Sequence, residues 1–283
     1  MAISCFSAMS ILIKLASDRH VSVPELVFWR QAFAMPVILI ILWRGPGFTT
    51  LRTERMPAHI RRSALGLLCM ALTFGSIALL PLAEATTLGY ATPIFATILS
   101  VLVYGEKVGL KRGAAVFAGF IGVIILAQPA GKHLDPFGTM LGLSSALLVA
   151  LVNFQIRDLS RTEAATTIVF WFTLLSTIGL LVLLPFYGTR HDLSGWLLLA
   201  GIGTMGGIAQ VAMTESLRHA PVSAVVGMDY VSLLWSTLAG WFLWNQLPGA
   251  STWIGAAIII ASGLFIFWRE RRLQIARTST IGG

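Results

Sequence analysis

Residues 63–105 form an almost unbroken apolar stretch, and nothing constrains the chain more. A helix crossing a bilayer needs about 20 residues, so this stretch is too long for one crossing. Pro81 is its natural break, because proline lacks an N–H and disturbs the turn before it. The same reading along the chain gives ten apolar spans: about 2–18, 25–44, 60–80, 82–104, 110–128, 137–157, 165–187, 195–216, 221–244 and 250–268. Composition agrees, since the chain is 56% hydrophobic and only 11% charged, against about 25% charged in soluble domains. The expected fold is an all-α integral membrane protein. Its first span begins at Met1 with no basic segment or small-residue cleavage site, which predicts a retained helix and not a signal peptide. Only residues 45–59 and the tail after Arg272 read as real loops.

The net charge of +8 would suit nucleic acid were it not confined to short segments between apolar spans. That distribution is the membrane pattern, so no nucleic-acid partner is expected, only lipid bilayer and a small molecule. Assigning loops to alternate faces puts fifteen Lys and Arg residues, Arg61 and Arg62 among them, on the side of the N-terminus, against Arg19, Lys132 and Arg190 opposite. The excess places both termini in the cytoplasm.

Two stretches resemble each other at an offset of 140. Residues 81–125 lie over 221–265, with Pro81 on Pro221, Tyr90 on Tyr230, Thr97 on Thr237 and Gly109 on Gly249. The first turn reads Gly105-Glu106-Lys107 and ends in Lys111-Arg112. The second reads Asn245-Gln246-Leu247, ends in Ser251-Thr252 and has lost every charge. Val27-Phe28-Trp29 likewise matches Val169-Phe170-Trp171. Five spans per half is an odd number, so the second half enters the membrane inverted. The expectation is ten transmembrane helices as two inverted five-helix repeats, 1–132 and 133–272, with a cytoplasmic tail at 273–283. Inverted repeats around a midplane site are common among secondary transporters.

The residues that carry this repeat also resemble a family. Pro81-Leu82-Ala83-Glu84-Ala85, Thr92-Pro93-Ile94-Phe95, Tyr104-Gly105-Glu106-Lys107, Gly119 to Gly122-Val123, and Arg30 are similar to the EamA domain of the drug/metabolite transporter superfamily, used twice in tandem. The second turn departs from the pattern at Asn245-Gln246. The resemblance implies ten helices in a bacterial inner membrane and export of small metabolites, often amino acids, as in the YddG-like exporters.

Polar groups inside spans are costly in lipid and face cavities or partners. Asp229, Ser232, Ser236 and Gly240 share one face of the ninth span, and Gly89, Thr92, Ala96 and Ser100 share the matching face of the fourth. Gly66, Cys69, Thr73 and Ser76 do so in the third, and Gly203, Gly207, Gln210 and Thr214 in the eighth. Such faces serve either a polar path or close helix packing. A carboxylate at Asp229 favours the path. Tyr90 and Tyr230 lie beside these faces and read as cavity walls offering a ring and a hydroxyl.

Lys14, Arg30 and Glu84 fall in outer thirds of their helices. The cations could receive a substrate carboxylate and Glu84 an ammonium or a proton, or each could form a structural pair. Trp171, like Trp29, could stack on substrate or face lipid. Asn153, Gln155 and Glu215 read as cap or gate groups. The substrate-binding candidates are thus Tyr90, Tyr230, Asp229, Gln210, Thr92, Ser232, Trp171, Lys14 and Arg30. Asp229 and Glu84 are the proton-coupling candidates; transport is either driven by protons through one of them or passive down the substrate gradient.

No phosphate-binding loop of the G-x-x-x-x-G-K-[ST] kind occurs, which excludes ATP hydrolysis by that device. All five histidines lie in loops or at span ends, and Cys5 and Cys69 have no pairing or ligand spacing. No metal or cofactor is expected. The reading is a monomeric secondary transporter exporting amino acids or related small metabolites by alternating access. Drug-like or quaternary-ammonium cargo is the alternative. An intramembrane enzyme lacks a nucleophile or metal motif here, and a structural subunit would need no polar path.

Overall fold

The computed structural model describes residues 1–104, 110–127, 134–219 and 231–281, and all regular structure among them is helical. The helices are α1 (Ala2–Asp18), α2 (Val23–Arg44), α3 (Met56–Leu79), α4 (Leu82–Gly89), α5 (Thr92–Tyr104), α6 (Leu110–Ala127), α7 (Pro136–Leu159), α8 (Ala165–Leu181), α9 (Leu184–Tyr187), α10 (Leu193–His219), α11 (Val231–Trp244) and α12 (Ala250–Ile281). A 3₁₀ turn, Phe48–Leu51, sits between α2 and α3. Six stretches among the described residues are long and apolar enough to cross a membrane: Val23–Arg44, Met56–Leu79, Leu82–Leu102, Pro136–Leu159, Leu193–His219 and Ala250–Trp268.

The surface is the reverse of a soluble protein's. Ile40, Leu68, Leu102, Phe117, Leu197 and Phe242 are exposed, while Glu25, Arg30, Gln31, Arg62 and Asn153 are buried. Apolar side chains outside and charges inside suit a bundle solvated by lipid. Helix starts follow local chemistry. Pro24, Pro57 and Pro136 stand where a missing N–H costs nothing. Asp135 caps α7 by accepting from the Gly138 N–H at 2.6 Å.

Two stretches depart from expectation. The span 82–104 is two helices, broken at Tyr90 and Ala91. Pro93 has no N–H to give the Gly89 carbonyl four residues back. The Thr92 hydroxyl donates to that oxygen instead, at 2.7 Å. The tail after Arg272 continues α12 as far as Ile281, since no Gly or Pro interrupts the backbone before Gly282.

Helix packing repeats itself. Helix α1 packs along α10 as α7 does along α3, and α2 on α10 as α8 does on α3. Helix α11 meets α1 as α4 meets α7, while α4 meets α11 and α6 meets α12. Swapping α1, α2, α3, α4 and α6 for α7, α8, α10, α11 and α12 therefore returns the same neighbours. Glycines mark the tightest crossings. A Cβ on Gly255 would lie 2.7 Å from the Gly122 carbonyl oxygen, so α6 and α12 meet backbone to backbone.

Each end of the bundle carries ties between distant segments. Glu25 accepts from the Thr189 N–H (3.1 Å) and hydroxyl (3.0 Å) and from the Trp29 ring N–H (3.3 Å), with His191 Nε2 at 2.7 Å. Elsewhere, Thr167 donates to the Thr50 carbonyl at 2.8 Å and Trp171 to that of Leu51 at 3.0 Å. His59 pairs with Glu163 at 3.2 Å, and Arg55 with Asp158.

Candidate functional site

A cavity of about 320 Å³ lies among α1, α2, α3, α4, α7, α8, α10 and α11. That is at the lower end of the range for small-molecule sites. The face Gly66, Cys69, Thr73 and Ser76 of α3 forms one wall, as its helical spacing predicts. Opposite surfaces come from Phe6 and Met9 of α1, Val149 and Asn153 of α7, and Met213 of α10. Most of the lining is apolar, with hydroxyls distributed through it.

Among the described residues, the charges on the lining are two arginines. Arg30 is 1% exposed; its Nη1 donates to Gln31, and its Nη2 to the Gly206 carbonyl at 3.1 Å and to Gln210 Oε1 at 3.2 Å. Arg62 is 3% exposed, and its guanidinium carbon stands 4.3 Å from the centre of the Phe172 ring. A cation over an aromatic face in a dry setting gains about 2 kcal/mol. Two glycines make room for these side chains. A Cβ on Gly66 would fall 2.1 Å from Arg62 Nη1 and 2.7 Å from Phe172, and one on Gly206 would fall 2.7 Å from Arg30 Nε. Several lining donors have no acceptor among the described residues: Arg30 Nε, Arg62 Nε and Nη1, Asn153 Nδ2, and the hydroxyls of Ser7 and Ser76. Buried polar groups are rarely left so.

Of the candidates read from sequence, Tyr90, Thr92, Arg30, Gln210 and Ser232 meet on this lining. The hydroxyls of Tyr90 and Ser232 lie 2.9 Å apart, joining α4 to α11. Three candidates lie away from it. Lys14 donates from Nζ to the carbonyls of Ala78 and Leu80, each at 3.0 Å, satisfying the end of α3. Trp171 holds the loop carbonyl of Leu51. Glu84 is buried against α12, where it accepts from the Thr252 hydroxyl at 3.2 Å. Asp229 and Tyr230 lie outside the described residues, as do Pro221 and the Gly105-Glu106-Lys107 turn.

The glycines Gly203 and Gly207 are packing positions, against Phe33 and Ala34 of α2, and not part of the lining. Arg62 and Phe172 were not anticipated. Arg62 had the appearance of a loop charge, yet it continues the α3 face one turn back from Gly66 at the same spacing. Asn153, read as a cap or gate group, lies inside α7 on the cavity wall and so does not cap it. Among the described residues no three His, Cys, Asp or Glu side chains gather as a metal ion requires.

The model of the EamA-like transporter family matches this chain twice, over residues 1–128 and 136–268. The chain belongs to that family. The resemblance carried by Pro81–Ala85 and Thr92–Phe95 is thereby borne out. This EamA-like transporter is 33% identical over 251 residues to a riboflavin transporter of Vibrio cholerae, covering 88% of this chain and 84% of that one. It is 28% identical over 258 residues to the pseudopaline exporter CntI of Pseudomonas aeruginosa, covering 91% and 90%. A solved crystal structure with 20% identity matches at a TM-score of 0.66 over 95% of this chain and 96% of that one, which shows a shared fold. The family also accounts for the absence of an enzyme motif: its named members are transporters of small molecules.

Proposed function

We propose that this EamA-like transporter exports amino acids or related small metabolites across the bacterial inner membrane, by alternating access of two inverted five-helix halves. The halves are residues 1–132 and 133–272, followed by the tail 273–283. They supply ten spans and keep both termini in the cytoplasm, and the monomer works without ATP. The cavity carries this reading: a polar-studded hollow inside an apolar-surfaced bundle, lined by helices from both halves. The exchange of neighbours between α1–α6 and α7–α12 supports the repeat. So does a matched pair of contacts, Arg30 on Gly206 and Phe172 on Gly66, whose residues correspond at offsets of 142 and 140.

In this reading Tyr90, Thr92, Gln210 and Ser232 touch the substrate. Asp229 and Tyr230 come immediately before α11, which supplies Ser232. Asp229 or Glu84 carries the coupling proton. Outward direction has the support of one relative that is an exporter.

Counterflow in liposomes tests this. Purified protein in vesicles preloaded with unlabelled amino acids should accumulate at least one labelled amino acid from outside. If none of the twenty exchanges faster than in protein-free vesicles, amino acids are not the cargo. If Asp229 is the coupling group, Asp229→Asn should abolish accumulation driven by a pH gradient while leaving exchange measurable; if Glu84 is, Glu84→Gln should do so instead.

A further inference from the structure

Among the described residues, the cavity lining carries charge of one sign only. Arg30 and Arg62 both reach its lining, and among the described residues no Asp or Glu does. The ion pairs in the described structure involve other cations: Arg55, His59, His191, Arg218 and His219. Arg30 is engaged by neutral oxygens from Gln31, Gly206 and Gln210. Arg62 has only the ring of Phe172, and hydrogen-bonds no described acceptor. A buried cation is retained against its desolvation cost only when something compensates it. Arginine in turn is the side chain whose planar donors fit an oxyanion.

We propose that the cavity is a carboxylate site: Arg62 receives the substrate's carboxylate, with Arg30 reinforcing it from α2, and the apolar lining holds the remainder of the molecule. The inference rests on the cavity being the transport site. It sharpens that reading in one respect. With two cations and no acidic side chain on the described lining, binding requires the carboxylate and not the ammonium. Arg30 is fixed by three hydrogen bonds and supplies field. Arg62, hydrogen-bonded to no described acceptor, supplies the contact from Nη2.

Ligand-induced thermal stabilisation of the purified full-length protein tests this, because a ligand that binds the folded state raises its unfolding temperature in a saturable way. The probes are 4-methylpentanoate and 3-phenylpropanoate, which lack an ammonium, and their neutral amides. At least one acid should stabilise and neither amide should. Arg62→Met should shift the stabilising concentration at least about tenfold, the loss expected for one charge-assisted hydrogen bond. Arg62→Lys should retain part of the effect. Both variants must first elute as monodisperse protein; should Arg62→Met not do so, Arg62→Lys against the acid and amide series decides alone. Amides that match the acids, acids that never stabilise, or acid binding indifferent to both substitutions would each overturn the assignment. Counterflow separates the two readings. Protein that exchanges amino acids but ignores both acids defeats the carboxylate site alone, and protein that binds the acids but exchanges nothing defeats transport alone.

Discussion

The Gly203 crossing offers a prediction with a magnitude. A Cβ at Gly203 would stand 2.3 Å from the Phe33 Cβ and 3.0 Å from both its Cα and its carbonyl carbon. Carbon atoms rest about 3.5–4.0 Å apart, so Gly203→Ala demands more than about 1 Å of movement. No rotamer change supplies it, because the obstructing atoms are backbone and the first side-chain carbon. Helices α2 and α10 must separate. Overpacking of this kind costs about 1–3 kcal/mol, and rigid obstruction puts it near the upper end. Better helix propensity returns about 1 kcal/mol, leaving a net loss of about 2 kcal/mol. The same separation stretches the Arg30 bonds to Gly206 and Gln210, now 3.1 and 3.2 Å, one turn away on α2. Gly179→Ala is the control, since no atom lies within 4 Å of its added carbon. Unfolding in mixed detergent micelles, followed by tryptophan fluorescence, should show Gly203→Ala less stable and Gly179→Ala equal or more stable. A Gly203→Ala protein as stable as the control refutes the rigid crossing.

Two further outcomes follow from other contacts. Lys14→Met strips the donors from the Ala78 and Leu80 carbonyls and should destabilise the protein by about 1–3 kcal/mol in the same assay; unchanged stability would mean that other donors replace it. Asp192 is held below the ordinary carboxylate range by the Gly195 N–H and then by the Ser194 hydroxyl. A depressed folded-state value means its contribution is complete above the ordinary range and lost as pH falls through the lowered value. Protection of the first-turn amides of α10, corrected for the intrinsic exchange rate at each pH, should therefore fall on acidification, and Asp192→Asn should flatten that dependence.

The sequence carried the site unevenly. Gly66, Cys69, Thr73 and Ser76 could be placed on one wall because helical spacing is local. Arg62 obeys the same spacing but was counted by position, as a charge near a span end, and burial cannot be read from position. Gly203 and Gly207 show the converse: spacing by four is shared by polar paths and by tight crossings, and only the partner helix tells them apart. Trp171 was placed correctly in its helix, but its partner is a carbonyl 120 residues away. Lys14 is similar, bonded to carbonyls 64 and 66 residues on. The break at Tyr90 was not read, although Pro93 and the Thr92 hydroxyl, which bonds the carbonyl three residues back, are both local to it.

Helices of the first half find their closest partners in the second, and this has a cost during synthesis. Arg30 leaves the ribosome 180 residues before Gln210 and 176 before Gly206. At about 5–20 residues per second, α2 waits on the order of ten to forty seconds for α10. Over that interval its guanidinium sits in or near the bilayer without its α10 acceptors, at a cost of up to about 2.5–3.5 kcal/mol on insertion scales. Glu25 waits as long for Thr189 and His191. The first half is thus inserted in debt to segments not yet made, so truncation before α10 should leave a product that membrane quality control recognises by its stranded charges.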